Sequence, residues 1–302
     1  MKKSSKKASP LRICRGPQMI LMLMPFLILF LIVTVLPVIV SMVLSFFNYD
    51  VMLGAKWVGL DNYIFMFLED DVFWTSLKNT LLFAVVTGPI GFFLSFLLAW
   101  FVNEFSPKVR SVLSFLFYSP ALMGNAYFIW QVMFSGDSYG YINSALLSLG
   151  FIDTPIQWFK TPEYVLPIIM IVQLWMSMGV SFLANIAGLQ NVNEELYEAG
   201  AIDGIKNRWH ELWYITLPYM KNILLFSAVM QISSSFAVGQ LCMTLAGFPS
   251  INNSAETLVT HIMDVGTMQY EMGLACALSF FLFVMMLFAR LLIGKLLKGV
   301  GK

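Results

Sequence analysis

Six nearly uncharged stretches divide the chain, at about residues 18–47, 77–102, 111–134, 164–189, 221–245 and 272–293. A helix needs about 20 consecutive apolar residues to cross a hydrocarbon core, where every backbone N–H and C=O must find a partner within the protein. Each stretch is long enough. A charge at mid-bilayer costs about 2.5–3.5 kcal/mol or more, and the cations bordering the stretches, Lys78, Lys221 and Arg290, fall near their ends. Composition agrees: 59% of the 302 residues are hydrophobic and 12% charged, whereas soluble domains carry roughly 45–50% and 25%. These patterns predict an all-α polytopic membrane protein with six transmembrane helices, a basic tail at 1–17 and one membrane domain at 18–302.

The tail holds Lys2, Lys3, Lys6, Lys7, Arg12 and Arg15 and no acid. A secretory signal also begins with basic residues, but its apolar core spans only about 7–15 residues. The run from Met19 to Phe47 is longer and reads as a retained first span, bent at Pro25 and Pro37. Lysine and arginine collect on the cytoplasmic side of membrane proteins. With the amino terminus inside, Lys108, Arg110, Lys206, Arg208 and Arg290 join the tail there, and only Lys56, Lys78 and Lys160 fall outside. The outer loops near 48–76, 135–163 and 246–270 are acidic, and the second has an amphipathic pattern at about 142–149. Both termini and the loop at 191–218 are therefore expected in the cytoplasm.

That loop reads NVNEELYEAGAIDGIKNRWHELWYITLP, an island of charge between the fourth and fifth spans. Its pattern predicts two short helices. Asn191 caps the first, with Glu194 three residues on; Gly204 stops it. The second runs over about 206–215 with Trp209, Leu212 and Trp213 on one face, until Pro218 breaks it. Such a pair could lie on the membrane surface, where its tryptophans would suit the interface.

The stretch also resembles the cytoplasmic loop of permease subunits in binding-protein-dependent ATP-binding-cassette (ABC) importers of the maltose and glycerol-phosphate type. The family pattern is Glu-Ala-Ala, three residues, Gly, about nine residues, Ile, one residue, Leu-Pro. Glu198, Ala199, Gly204, Ile215, Leu217 and Pro218 match it; Gly200 replaces the second alanine, and ten residues separate Gly204 from Ile215. The resemblance implies a type I ABC importer permease fold in a bacterial or archaeal cell membrane, importing a sugar or oligosaccharide. It implies a coupling helix in this loop, with Glu198 and Ala199 at the ATPase, Gly204 as the turn, Trp209 and Leu212 as an apolar plug, and Pro218 closing the motif. The implied partners are a second homologous permease, two ABC ATPase subunits carrying ATP and Mg, and an extracytoplasmic solute-binding protein; no cofactor is expected on this chain.

Other chemistry is missing. No Gly-x-x-x-x-Gly-Lys-Ser/Thr loop is present, so ATP must be hydrolysed elsewhere. His210-Glu211 begins like a zinc-protease helix, but Tyr214 stands where its second histidine would be, and Cys14, Cys242 and Cys276 are far apart in sequence. Neither a metal site nor nucleic-acid binding is indicated. Polar residues inside spans are Asn125 and Gln131 in the third, Gln173 and Ser177 in the fourth, and Gln231, Ser234 and Ser235 in the fifth. Neutral amides and hydroxyls suit a polyhydroxy solute, which exchanges hydrogen bonds without needing a counter-charge. They also suit plain interhelical bonding, worth about 0.6 kcal/mol each. The alternative function is a self-contained secondary transporter or channel. It would usually place ionisable groups within the spans. A membrane enzyme would need a nucleophile, base or metal constellation that is not seen.

Overall fold

The computed structural model describes residues 17–50 and 54–298, so the expected basic tail lies outside the described residues apart from Pro17. The chain begins with α1 (Pro17–Phe30), a π-helical turn (Leu31–Val35) and α2 (Leu36–Leu44). This first span is continuous, and its large apolar side chains from Leu21 to Val43 are exposed. It ends three residues before the expected limit at 47 because Phe47 starts a hairpin. Strands β1 (Phe47–Asp50) and β2 (Gly54–Trp57) pair antiparallel with Phe47 opposite Trp57. The expectation of an all-α chain is corrected by this hairpin, where Asn62 on α3 (Asp61–Leu68) ties down the carbonyls of Ser45 and Phe47.

Helix α4 (Asp71–Asn103) is the axis of the bundle. Asp70 caps it by accepting from the N–H groups of Val72 and Phe73, both at 3.0 Å. Its buried face, which also holds Phe73, Phe83 and Phe96, carries a run of small residues, Thr80, Ala84, Thr87, Gly88, Gly91, Ser95 and Ala99. Helices in hydrocarbon gain little from hiding apolar surface from lipid, so close backbone approach over small residues is what holds them together. α4 accordingly packs chiefly on α9 (Val180–Gln190) and α12 (Leu217–Phe236).

Three expected spans are not single straight helices. Residues 111–134 divide into α5 (Pro107–Leu122) and α6 (Phe128–Met133). The 164–189 stretch is α8 (Pro162–Met176) followed by α9, and the 221–245 stretch is α12 followed by α13 (Gln240–Ala246). The last two breaks share one form: Gly179 N–H donates to Ser177 O at 2.8 Å, and Gly239 N–H to Ala237 O at 2.9 Å. Among the described residues, five helical stretches are long and apolar enough to cross a membrane; the 111–134 region is not one of them. The amphipathic pattern near 142–149 forms α7 (Tyr141–Ser148). The remaining elements are α10 (Glu194–Ile202), α11 (Arg208–Glu211), α14 (Leu258–Met263) and α15 (Met272–Lys298), the last also long enough to span.

A buried fastener closes the end of the bundle opposite the 191–218 loop. His261 of α14, expected in a loop, is buried and donates from Nε2 to Asp70 Oδ2 at 2.6 Å. Beside it Asn79 donates to Glu256 O at 2.8 Å, and Thr80 Oγ1 accepts from Leu258 N–H at 2.8 Å. Burial pushes the Asp70 carboxyl up, but the His261 hydrogen bond and charge, with the N–H groups of Phe73 and Val72, outweigh it and hold its pKa below the usual value. A depressed folded pKa contributes stability that is complete above the unfolded value and lost as the pH falls through the folded one. Asp70→Asn is therefore expected to cost about 1.5–3 kcal/mol at neutral pH. In thermal melts of the detergent-solubilised protein, the gap from wild type should narrow as the pH drops below the ordinary carboxylate range.

Candidate coupling loop and solute path

The loop folds as two helices, with three differences from expectation. Asn193, not Asn191, caps α10, its Oδ1 accepting from Glu195 N–H at 3.2 Å. α10 ends at Gly204, whose φ of +93° only glycine adopts without strain, and Ile205 N–H returns to Gly200 O at 2.9 Å. Gly200, in place of the motif's alanine, has a packing reason: a Cβ there would lie 2.6 Å from the Ile215 side chain. Pro218 does not end the second helix. α11 runs through a π-helical turn (Leu212–Thr216) directly into α12, and the wider turn, with Leu217 N–H bonded to Leu212 O, accommodates the missing proline donor.

Of the expected apolar face of Trp209 and Leu212, Leu212 turns inward while Trp209 stays 53% exposed. Leu212 is 4% exposed and packs among Phe96, Leu189, Met220 and Leu224 in the bundle core. Trp209 leans on Trp100 of α4 with ring centroids 5.4 Å apart. The most exposed apolar residue of the loop is Ile202, 87% exposed at the end of α10, with Glu198 and Ala199 exposed on the same helix. Helical spacing alone could not choose which helix turned inward. Arg208 joins the loop to the end of α4 through an ion pair to Glu104 at 3.0 Å, and pairs within the loop with Glu211 at 2.9 Å.

The polar residues of the spans divide into two groups. Gln173, Ser177, Gln231, Ser234 and Ser235 come together around Gly88 and Gly91 of α4. Gln173 Nε2 donates to Ser234 O at 3.4 Å, and Ser235 Oγ accepts from Thr87 Oγ1 at 3.0 Å. Gln231 is 1% exposed, its Nε2 has no hydrogen-bond partner, and with the Ser177 hydroxyl it fills the space where a Gly91 side chain would stand. Asn125 and Gln131 are exposed and apart from this group; Asn125 accepts from Tyr127 OH at 2.9 Å. Sequence reasoning missed Gly88, Gly91 and a second polar layer, in which Asn185 of α9 donates to Ser227 Oγ at 3.2 Å and Ser95 Oγ at 3.5 Å. The signal available was the small-residue stripe of α4.

Neutral amides and hydroxyls next to two helix breaks have the chemistry to exchange hydrogen bonds with an uncharged hydroxylated solute. Irregular backbone at membrane depth is tolerated where it is buried in protein or lines a cavity. Among the described residues no group of three or more His, Cys, Asp or Glu could hold a metal ion.

No protein-family profile matches the chain. It is 31% identical to the arabinooligosaccharides transport system permease protein AraP of Bacillus subtilis over 98% of this chain and 92% of that one. It is 35% identical to the probable ABC transporter permease protein YesP of the same organism over 70% of this chain and 68% of that one. Among solved structures, a chain of a bacterial alginate ABC transporter, in complex with an alginate pentasaccharide-bound periplasmic protein, superposes with a TM-score of 0.78 at 25% identity, covering 94% of this chain and 95% of that chain. With this likeness in sequence and in fold along nearly its whole length, the chain belongs to the permease proteins of ABC transporters.

Proposed function

We propose that this chain is the membrane-spanning subunit that passes a sugar or oligosaccharide through an ATP-driven importer. The observation that carries the reading is its end-to-end likeness to an arabinooligosaccharide permease. The alginate transporter, whose structure includes a sugar-bound periplasmic protein, supports delivery by an extracytoplasmic binding protein. ATP and Mg belong to two partner ATPase chains, and a second permease completes the pathway. The apolar surface of α1 and α2 is available to that second permease and to lipid.

In this reading the chain crosses the membrane six times, the third crossing being the broken pair α5 and α6. Both termini and the 191–218 loop face the cytoplasm. α10 docks on the ATPase through Ile202, with Glu198 and Ala199 beside it and Gly204 fixing the turn. Leu212 seats the loop from inside the bundle, Trp209 rests against Trp100 of α4, and Pro218 stands at the start of α12. Closure of the ATPase pair moves α10; α9 and α12 at the loop's two ends, and α4 through Arg208 and Glu104, follow as one packed body. The solute passes Gln173, Ser177, Gln231, Ser234 and Ser235, with Asn125 and Gln131 on its approach.

The test is uptake of labelled oligosaccharides by cells expressing the whole system, with ATP depleted while ion gradients are held. Uptake that stops supports the importer, and uptake that continues sinks it. Ile202→Asp should lower uptake about tenfold, a coupling loss of about 1.4 kcal/mol, and reduce copurification of the ATPase. Gly204→Val should strain the αL turn by about 1–2 kcal/mol and abolish uptake, with the protein still in the membrane by immunoblot. Gly91→Ala pushes on Gln231 and Ser177; transport should fall while ATPase copurification is unchanged.

A further inference from the structure

Three of the apolar stretches are broken, and one break differs from the other two. At Gly179 and at Gly239 the glycine is buried and its N–H is bonded to the carbonyl two residues back. Between α5 and α6, residues 121–125 are all exposed. Among the described residues the N–H groups of Gly124 and Asn125 donate to nothing. The carbonyls of Pro120 and Ala121, which would accept from them in a continuous helix, accept nothing.

The level of this break follows from its neighbours. A Cβ on Gly179 would stand 3.2 Å from the Ala121 side chain, and one on Gly91 would stand 3.1 Å from the Ser177 hydroxyl, so the two breaks and the middle of α4 share one level. Gly91 lies about 18 Å along its helix from Asn103. α5, whose first turn carries Lys108 and Arg110, climbs about 24 Å over its 16 residues before the break. Both lengths put the break inside a hydrocarbon core about 30 Å thick. Lipid offers no hydrogen bond, and irregular backbone at that depth is tolerated only where protein or water covers it.

The cover follows from the same groups. A soluble partner does not reach this depth, so a protein cover is another membrane chain. The unbonded set holds two donors and two acceptors, the self-complementary combination that a two-fold contact between like chains requires. We infer that the break between α5 and α6 is the seam with the second, homologous permease, whose own break lies against it and takes up these N–H and C=O groups. Met123, Phe128 and Ile129, exposed around the break, pack on the same partner. The inference rests on the importer reading above and adds where the second permease sits: on the α5–α6 face, next to the break between α8 and α9.

The test uses the complete transporter in its native membrane. The photoreactive amino acid benzoylphenylalanine is introduced at Met123 and, in a second variant, at Ile129. Both side chains are exposed, and copurification of the ATPase through a tag on this chain reports that each variant has folded. After irradiation the adducts are identified by mass spectrometry. The expected result is that this chain is joined to the second permease, at that chain's own third crossing, about tenfold more often than to lipid. Adducts mainly to lipid would place the break at the lipid surface and overturn the inference. No adduct from either position would mean a water-filled cavity and overturn it too, as would an adduct on another segment of the second permease or on a different protein. In each of these outcomes a second permease that still copurifies leaves the importer reading standing, whereas its absence from the purified complex would sink both.

Discussion

Close approach of α4, α9 and α12 is the constraint on which the rest of the structure depends. Lipid is as apolar as the side chains it touches, so burial alone gives these helices little reason to associate. What holds them is backbone proximity over Gly88, Gly91, Ser95 and Ala99, with hydrogen bonds that would be unmade in lipid. Asn185 reaches both neighbours at once, and Ser181 Oγ donates to Ser227 O at 3.1 Å. A bulkier α4 would separate the three helices and open both polar layers together.

The same closeness shapes the candidate path. Gln231 is fully buried with an unused donor, an arrangement costly unless something else satisfies it. It faces the gap left by Gly91, near the break between α8 and α9. In the proposed function, packing and solute recognition draw on the same residues. A solute would there exchange hydrogen bonds that the helices already make with one another.

The two ends of the bundle are fastened differently. One end relies on the buried Asp70–His261 pair, with Asn79 and Thr80 gripping the loop backbone. The other relies on exposed ion pairs from Arg208 and on aromatic contact. Exposed pairs are worth about 0–1 kcal/mol, so the loop end is the more easily moved. That suits an element expected to be driven by a partner.

The sequence by itself determined the membrane class, the general place of five long apolar helical stretches and the helix–Gly–helix of the loop. Hydropathy over about 20 residues and a glycine at a helix end are local signals that need no neighbour. It also placed Gln173, Ser177, Gln231, Ser234 and Ser235 inside spans. Only the tertiary structure decided that Leu212 turns inward while Ile202 stands out, since helical spacing fixes which residues share a face and not what that face meets. Only packing decided that Pro218 would be carried through a π-helical turn, that His261 would find Asp70 across 191 residues of chain, and that Asn125 and Gln131 would stand apart from the other polar residues. The breaks at Gly179 and Gly239 were hidden for the same reason: inside an apolar run, a glycine becomes a break only where neighbouring helices take up the backbone groups it frees.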